Sequence, residues 1–309
     1  MAIDTINNAI ELNAVTKTFG NHVAVDQLDL AVPTGSIYGF IGPNGSGKTT
    51  TLRMILRIFQ PDSGTVRVLG QTKGRTADDR LGYLPEERGL YKRMRVGDLL
   101  KYYAKLKGFR NCQPHIEEWL QQLEASTWVN KRIDSLSKGM AQKIQFIAAV
   151  AARPQLVILD EPFSGLDPVN MESLRDAVLL LRERGTTVIF STHDMDMAEK
   201  LCDTIFMIFK GKKVLDGTID SIQARYPANR VRIRFANPDQ TLPFIPNVTE
   251  SHQNGRFHML TLRSADDAPA VLQQLADEGE LHLFEVVKPS LHDVFIQIAK
   301  PDSMELATQ

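Results

Sequence analysis

Apolar and polar residues alternate over residues 10–15 and again over 27–32, the period of strands with one buried face. Residues 36–41 form an apolar run that breaks into a glycine-rich loop, after which 49–59 read as a helix: strand, loop, helix. Residues 65–69 alternate before Gly70, as an edge strand does. Helices are predicted over 96–107 and over 115–123, the second opening after Pro114. Another runs from Ser137 to about Ala152 and stops before Pro154; residues 156–159, wholly apolar, suit a buried parallel strand. Met171, Leu174, Val178 and Leu181 then recur at helical spacing, Gly185 closes that helix, and 186–192 are again rich in β-formers. Such alternation of strand and helix predicts a parallel sheet flanked by helices. Residues 205–209 and 213–215, joined around Gly211, read as a hairpin that closes the first domain near Gly217. Beyond Pro227 the pattern changes. Val231, Ile233 and Phe235 alternate, 257–262 is a strand, 268–278 a helix and 281–287 a last strand, with a tail expected to fray after Pro301. The expected domains are 1–220, an α/β unit, and 221–309, a small α+β unit.

Composition narrows the function classes. At 309 residues the chain is long enough for two domains, and 43% hydrophobic with 24% charged residues is an ordinary globular balance. A formal net charge of -1 offers no field to attract nucleic acid, which is not expected as a partner. Cys112 and Cys202 stand far apart without a metal-site pattern, and the N-terminus carries an acid and no basic residue, unlike a secretory signal. A cytoplasmic location follows as the expectation. The longest apolar stretches, 156–159 and 205–209, fall far short of the roughly 20 residues of a membrane helix, so any membrane role has to come through a partner.

The loop Gly42, Pro43, Asn44, Gly45, Ser46, Gly47, Lys48, Thr49, Thr50 fits GxxxxGK[ST] between strand and helix, the setting in which that pattern binds phosphate. Its glycines let backbone N–H groups turn onto phosphate oxygens at a helix N-terminus. Lys48 is suited to the β- and γ-phosphates, Thr49 to a Mg2+ ion, and Thr50 with the loop to the α- and β-phosphates. Asp160 and Glu161 end an apolar strand at its C-terminal edge, where α/β sheets place ligands. Asp160 suits Mg2+. Adjacent strand residues point opposite ways, so Glu161 can act as base for the attacking water only if the strand is ending there. The bland alternative is a pair of solvated acids. His193 follows another strand and either bonds the γ-phosphate or is an ordinary loop residue.

The ordered motifs, the phosphate loop, Leu136-Ser-Lys-Gly-Met140, Val157-Ile-Leu-Asp-Glu161, Ser164-Gly-Leu-Asp167 and Ser191-Thr-His193, resemble the nucleotide-binding subunits of ATP-binding cassette (ABC) transporters over roughly residues 10–217. The resemblance implies a P-loop ATPase core with a parallel sheet, an N-terminal antiparallel part and a helical subdomain. It implies that ATP and Mg2+ are bound, and that Phe19 stacks on adenine, although an aromatic there equally suits a core. Ser137 and Gly139 would contact the γ-phosphate held by a second copy of the chain, Ser137 being placed as a helix N-cap, and Asp167 would couple the two sites. A capped helix without a ligand is the plainer alternative.

The sequence departs from the family pattern twice. Lys138 and Met140 replace a glycine and the glutamine of LSGGQ, and Glu86 stands where the family has a glutamine joining γ-phosphate, Mg2+ and transporter. A carboxylate there can take Mg2+ but adds negative charge beside a polyphosphate, so Glu86 is expected to weaken nucleotide binding when Mg2+ is scarce. The segment 81–95 and the C-terminal stretch Pro289-Ser-Leu-His-Asp-Val-Phe295 resemble the subgroup serving drug, sodium and polysaccharide-like exporters. The expected partners are a second copy and a separate integral membrane permease, docked on residues 88–115, which places the chain on the inner face of the membrane. A soluble ATPase driving a non-transport switch, or a regulator that binds without hydrolysis, are the competing classes; Glu161 speaks against the last.

Overall fold

The computed structural model describes residues 8–72, 78–87, 89–226, 228–238 and 240–305; among the sequence landmarks, residues 1–7, Arg88 and Pro227 lie outside the described residues. The chain divides into two compact units, Met1–Thr218 and Ile219–Gln309.

The first unit opens with β1 (Asn8–Phe19) and β2 (His22–Pro33), followed by β3 (Ile37–Ile41), α1 (Lys48–Ile55), β4 (Ser63–Val68) and β5 (Leu81–Leu84). Three helices, α2 (Val96–Leu106), α3 (Gln113–Gln122) and α4 (Lys138–Val150), intervene before β6 (Leu156–Asp160). Then come α5 (Pro168–Glu183), β7 (Thr187–Thr192), α6 (Met195–Leu201), β8 (Thr204–Phe209) and β9 (Lys212–Gly217). Strands β2, β1 and β4 form an antiparallel sheet in that order, with β4 at an edge; the main sheet has the order β5-β6-β7-β3-β8-β9. Its first five strands are parallel and β9 closes it antiparallel to β8. One core binds both sheets: Leu12 and Leu30 from the antiparallel sheet and Phe40, Ile158 and Phe206 from the main sheet belong to a single buried cluster with Leu52 and Ile55 of α1. Every residue of β6 and β7 is buried, which is why, apart from Asp160 and Ser191, both read as apolar or β-branched runs.

The first helix is shorter than its apolar pattern predicts. It stops at Ile55 because Arg57 turns left-handed (φ 58°) and the Arg57 and Ile58 N–H groups bond the carbonyls of Met54 and Arg53, a Schellman closure. Strand β5 and the seven-residue α6 are additions that periodicity is too short to reveal.

The second unit contains α7 (Ile219–Gln223), β10 (Arg230–Phe235), β11 (Val248–Asn254), β12 (Phe257–Leu262), α8 (Ala268–Glu278), β13 (Leu281–Val287) and α9 (Leu291–Glu305). Its sheet is antiparallel in the order β11-β12-β10-β13, and Val231, Ile233, Leu260 and Leu262 pack with Val271 and Leu275 of α8. Strand β11 escapes the sequence pattern because six of its seven residues are exposed and nearly all are polar. The backbone of α9 continues past Pro301 to Glu305 where fraying is expected, since a proline can kink a helix without ending it.

Candidate functional site

Parallel strands bring their C-terminal ends to one edge of the sheet. Strand β3 lies between β7 and β8, and β6 is the next strand beyond β7, so the segments that follow β3, β6 and β7 are neighbours. These segments carry the phosphate loop, Asp160 with Glu161, and His193. Chain connection leaves β3 for the edge strand β5 and returns inward, and a reversal of this kind opens a crevice for ligand.

The phosphate loop needs its glycines for both torsion and space. Gly47, the N-cap of α1, has φ 108°, and a Cβ there would lie 2.5 Å from the Ala24 carbonyl oxygen. Gly42 has φ 154° with a Cβ position 2.3 Å from the Ile208 carbonyl oxygen. The buried Ser46 hydroxyl has no hydrogen-bond partner among the described residues. Lys48 is buried and its Nζ donates to the carbonyls of Gly42 (2.5 Å) and Pro43 (3.1 Å), so the ammonium lies across the mouth of its own loop. Burial lowers its pKa, against the opposing pull of Glu161, Asp160 and Glu86.

Strand β6 ends at Asp160, and Glu161 leaves it with φ 48°, the change of direction needed for two consecutive carboxylates to serve one site. Three donors hold Glu161 there. Its Oε1 accepts from the His193 backbone N–H (3.0 Å) and from His193 Nδ1 (2.7 Å), while Oε2 accepts from Thr192 Oγ1 (3.2 Å). A carboxylate only accepts, so Nδ1 carries the proton in this pair. The Glu161 N–H also bonds the Ser191 carbonyl (2.9 Å), tying the turn to β7. Asp160 is buried, and that burial raises its pKa; the Ser191 hydroxyl opposes the shift, the charges of Glu86 and Glu161 add to it, and Lys48 opposes it. The charges of three carboxylates thus act on one ammonium, and a divalent cation with oxygen ligands would offset their mutual repulsion. Asp160, Glu86 and the exposed Thr49 hydroxyl could supply such oxygens, a donor set of the kind that fits Mg2+, which commonly takes one or two carboxylates and completes its shell with phosphate and water.

Glu86 follows β5 on an exposed turn, and the backbone on both sides of it is held from α4: Gln145 Nε2 donates to the carbonyls of Pro85 (3.0 Å) and Glu87 (3.5 Å). One turn earlier, Gln142 Nε2 donates to the Pro162 carbonyl (2.8 Å), just beyond Glu161. Two buried glutamines on one helix therefore carry the loops on either side of the site. Sequence reasoning passes over both; the available signal is a pair of amides three residues apart in a helix whose other polar side chains are only Lys138 and Lys143.

Ser137 caps that same helix, its Oγ accepting the Met140 N–H at 3.3 Å, so the hydroxyl serves the helix end itself. Gly139 faces Asn170 and Leu166, and the Lys138 side chain lies over Gly165. Asp167 caps α5, accepting from the Asn170 backbone (3.0 Å) and side chain (2.5 Å). No hydrogen bond among the described residues joins Ser137 or Gly139 to the phosphate loop. Phe19 is 43% exposed at the end of β1, edge-on to Phe59 at 5.4 Å with Lys17 Nζ 5.6 Å from its centroid, which is a surface position and not a core one.

Residues 25–164 match the family model described as ABC transporter, and residues 217–299 match that of the ATP-binding protein DrrA1-3-like, C-terminal domain. The chain is 39% identical over 290 residues to the uncharacterized ABC transporter ATP-binding protein YhaQ of Bacillus subtilis, covering 93% of this chain and 97% of that one. It is 31% identical over 299 residues to the Nod factor export ATP-binding protein I of Paraburkholderia xenovorans, covering 94% and 96%. Among solved structures, the ATP binding subunit of an ABC transporter superposes with a TM-score of 0.66 at 26% identity, over 70% of this chain and 92% of the other.

Proposed function

The chain belongs to the ABC transporter family as an ATP-binding, ATP-hydrolysing subunit that energises transport, and from that premise we propose how its residues share the work. The backbone of residues 42–50 cradles the phosphates, Lys48 swings from its own loop carbonyls onto the β- and γ-phosphates, and Phe19 stacks on the adenine. Thr49, Asp160 and Glu86 would hold a Mg2+ ion, whose charge offsets that of the phosphate oxygens. Glu161 is the base. Its Oε1 is occupied by two His193 donors, so Oε2, with only the Thr192 hydroxyl on it, is the oxygen left to orient and deprotonate the attacking water. The His193 ring is 63% exposed, which leaves its other nitrogen able to reach the γ-phosphate. The observation that carries this reading is the left-handed turn at Glu161, locked by three donors beside Asp160 and Lys48.

Ser137 and Gly139 complete the site of a second copy: Ser137 is exposed and Gly139 half-buried at the start of α4, neither with a hydrogen bond to its own phosphate loop among the described residues, and Asp167 beside them relays between the two sites. The permease docks on residues 88–115. In that segment Tyr91 and Tyr102 are exposed and stack edge-on at 5.8 Å, Leu106 is exposed, and a cavity of about 260 Å³ beside them is lined by Tyr83, Leu90 and Tyr103. No described helix is long and apolar enough to cross a membrane, so the chain would sit at the inner face of the membrane through that partner. Export is the favoured direction, because a Nod factor export subunit is similar along nearly the whole chain and the C-terminal unit matches the DrrA-like domain. Residues 1–220 would form the nucleotide-binding domain and 221–309 the accessory one.

Purification of the tagged chain from mild detergent extracts tests this, with mass spectrometry of what accompanies it. A stoichiometric polytopic membrane protein is the expected companion; ribosomal or DNA-repair proteins in its place would overturn the docking assignment.

A further inference from the structure

Strand β10 presents Arg230, Arg232 and Arg234 in alternation with its buried Val231, Ile233 and Phe235. Two of these arginines are neutralised: Arg230 pairs with Asp293 at 2.6 Å and Arg232 with Glu285 at 2.5 Å. Arg234 has no carboxylate partner among the described residues. Its guanidinium lies 5.5 Å from the Phe257 ring centroid, and its Nε is buried with no hydrogen-bond acceptor among the described residues. A buried donor left without an acceptor is costly, and a guanidinium in that condition calls for an anion.

The surroundings of Arg234 meet that description. A cavity of about 200 Å³ lies at this end of the sheet, lined by Arg234, by Arg256 from the β11–β12 turn, by His258 of β12, by His282 of β13 and by the amides of Gln240 and Gln253. Four residues with cationic or imidazole side chains converge on it from four places in the chain, and no carboxylate is among the described residues that line it. Arg256 is aimed there by its turn: Gly255, with φ 61°, allows a two-residue connection between Asn254 and Phe257, and Arg256 itself is exposed and without an ion pair among the described residues. The cavity is smaller than the sites that hold drug-sized ligands. Phe235, Ala236 and Pro238 give the cavity an apolar side, and besides these its lining holds two guanidiniums and two imidazoles, which suit a group with three or four acceptor oxygens better than a single carboxylate; arginine forks match phosphate geometry.

We propose that this cavity binds a phosphate group, as inorganic phosphate, a small phosphate ester or a lipid headgroup, and thereby gives the accessory unit a ligand separate from the nucleotide. Titration calorimetry with inorganic phosphate tests it on the full chain carrying Lys48→Ala, so that the nucleotide loop does not report. One phosphate should bind, and adding Arg256→Ala or Arg234→Gln should each weaken it about tenfold, the scale of one charge-assisted bond. Arg256 is exposed at a turn, so its variant should keep the parent's thermal midpoint and remain decisive if the Arg234 variant does not fold. Equal affinity with and without Arg256, or no heat up to about 10 mM phosphate, overturns the site. Two further arms identify the source. Binding of glycerol phosphate in solution marks a soluble ligand, whereas Arg256-dependent sedimentation with phosphatidylcholine vesicles containing phosphatidic acid marks a headgroup.

Discussion

A non-glycine residue in the left-handed region costs about 1 kcal/mol or more, and Glu161 adopts it at the end of a fully buried strand. The three donors from Thr192 and His193 stabilise that turn, so the strain is stored where the two carboxylates must face one site. Asp160 beside it is a buried acid facing two others, which favours ligand binding at the expense of the ligand-free fold. Asp160→Asn should therefore raise the thermal midpoint in EDTA by a few degrees, about 1 kcal/mol being worth roughly 2–4 °C at this size. The same variant should lose the stabilisation that Mg2+ with ATP confers; a lower midpoint in EDTA would show that the carboxylate stabilises the ligand-free site. Glu86 adds its charge to the same cluster without being buried. Glu86→Gln should tighten nucleotide binding several-fold at micromolar Mg2+, and an affinity that does not move would discard the charge argument.

At the scale of elements, α4 connects what the motifs treat as separate. Its first residue is preceded by the Ser137 cap, Gln142 holds the carbonyl after the Glu161 turn, and Gln145 holds the carbonyls on both sides of Glu86. A movement of this helix is therefore transmitted to both loops through two amide groups. Gln145→Leu removes the donor to the half-buried Pro85 carbonyl, together with an amide oxygen that is buried without a partner among the described residues, so the loss of stability should stay at about 1 kcal/mol. If Gln145 positions Glu86, the Mg2+ concentration for half-maximal ATPase should also rise several-fold; a lower melting point with an unchanged Mg2+ response would reduce the residue to a packing role. Elements that bury a face of fixed period were mostly legible here, as in β6 and α5, although α9 was not read from the sequence. Strand β11 was not, because it buries almost nothing, and α6 was not, because seven residues hold too few turns to set a period.

For the whole molecule, the question is how many copies make a site. Ser137, Gly139 and Asp167 lie together around α4 and α5, with Val169 beside them 75% exposed, an apolar residue that association would cover. Glu161→Gln should lower turnover at least about a hundredfold, the usual contribution of a general base, and in ATP it should elute as a dimer by size exclusion. A monomer under those conditions would overturn the two-copy site. How much of this was readable in advance depends on whether the information is local. The phosphate loop, the strand that ends in two acids and the β10 alternation were determined by the sequence itself, since torsional freedom, apolar runs and side-chain period act between residues close in the chain. The tertiary structure alone decided that Glu161 turns onto His193, that Gln145 holds the Glu86 loop and that Arg234 meets Arg256 and two histidines in one cavity. Each of these joins segments brought together by sheet order and register, and a hydrogen bond or a charge contact across such a gap leaves no periodic trace in the chain.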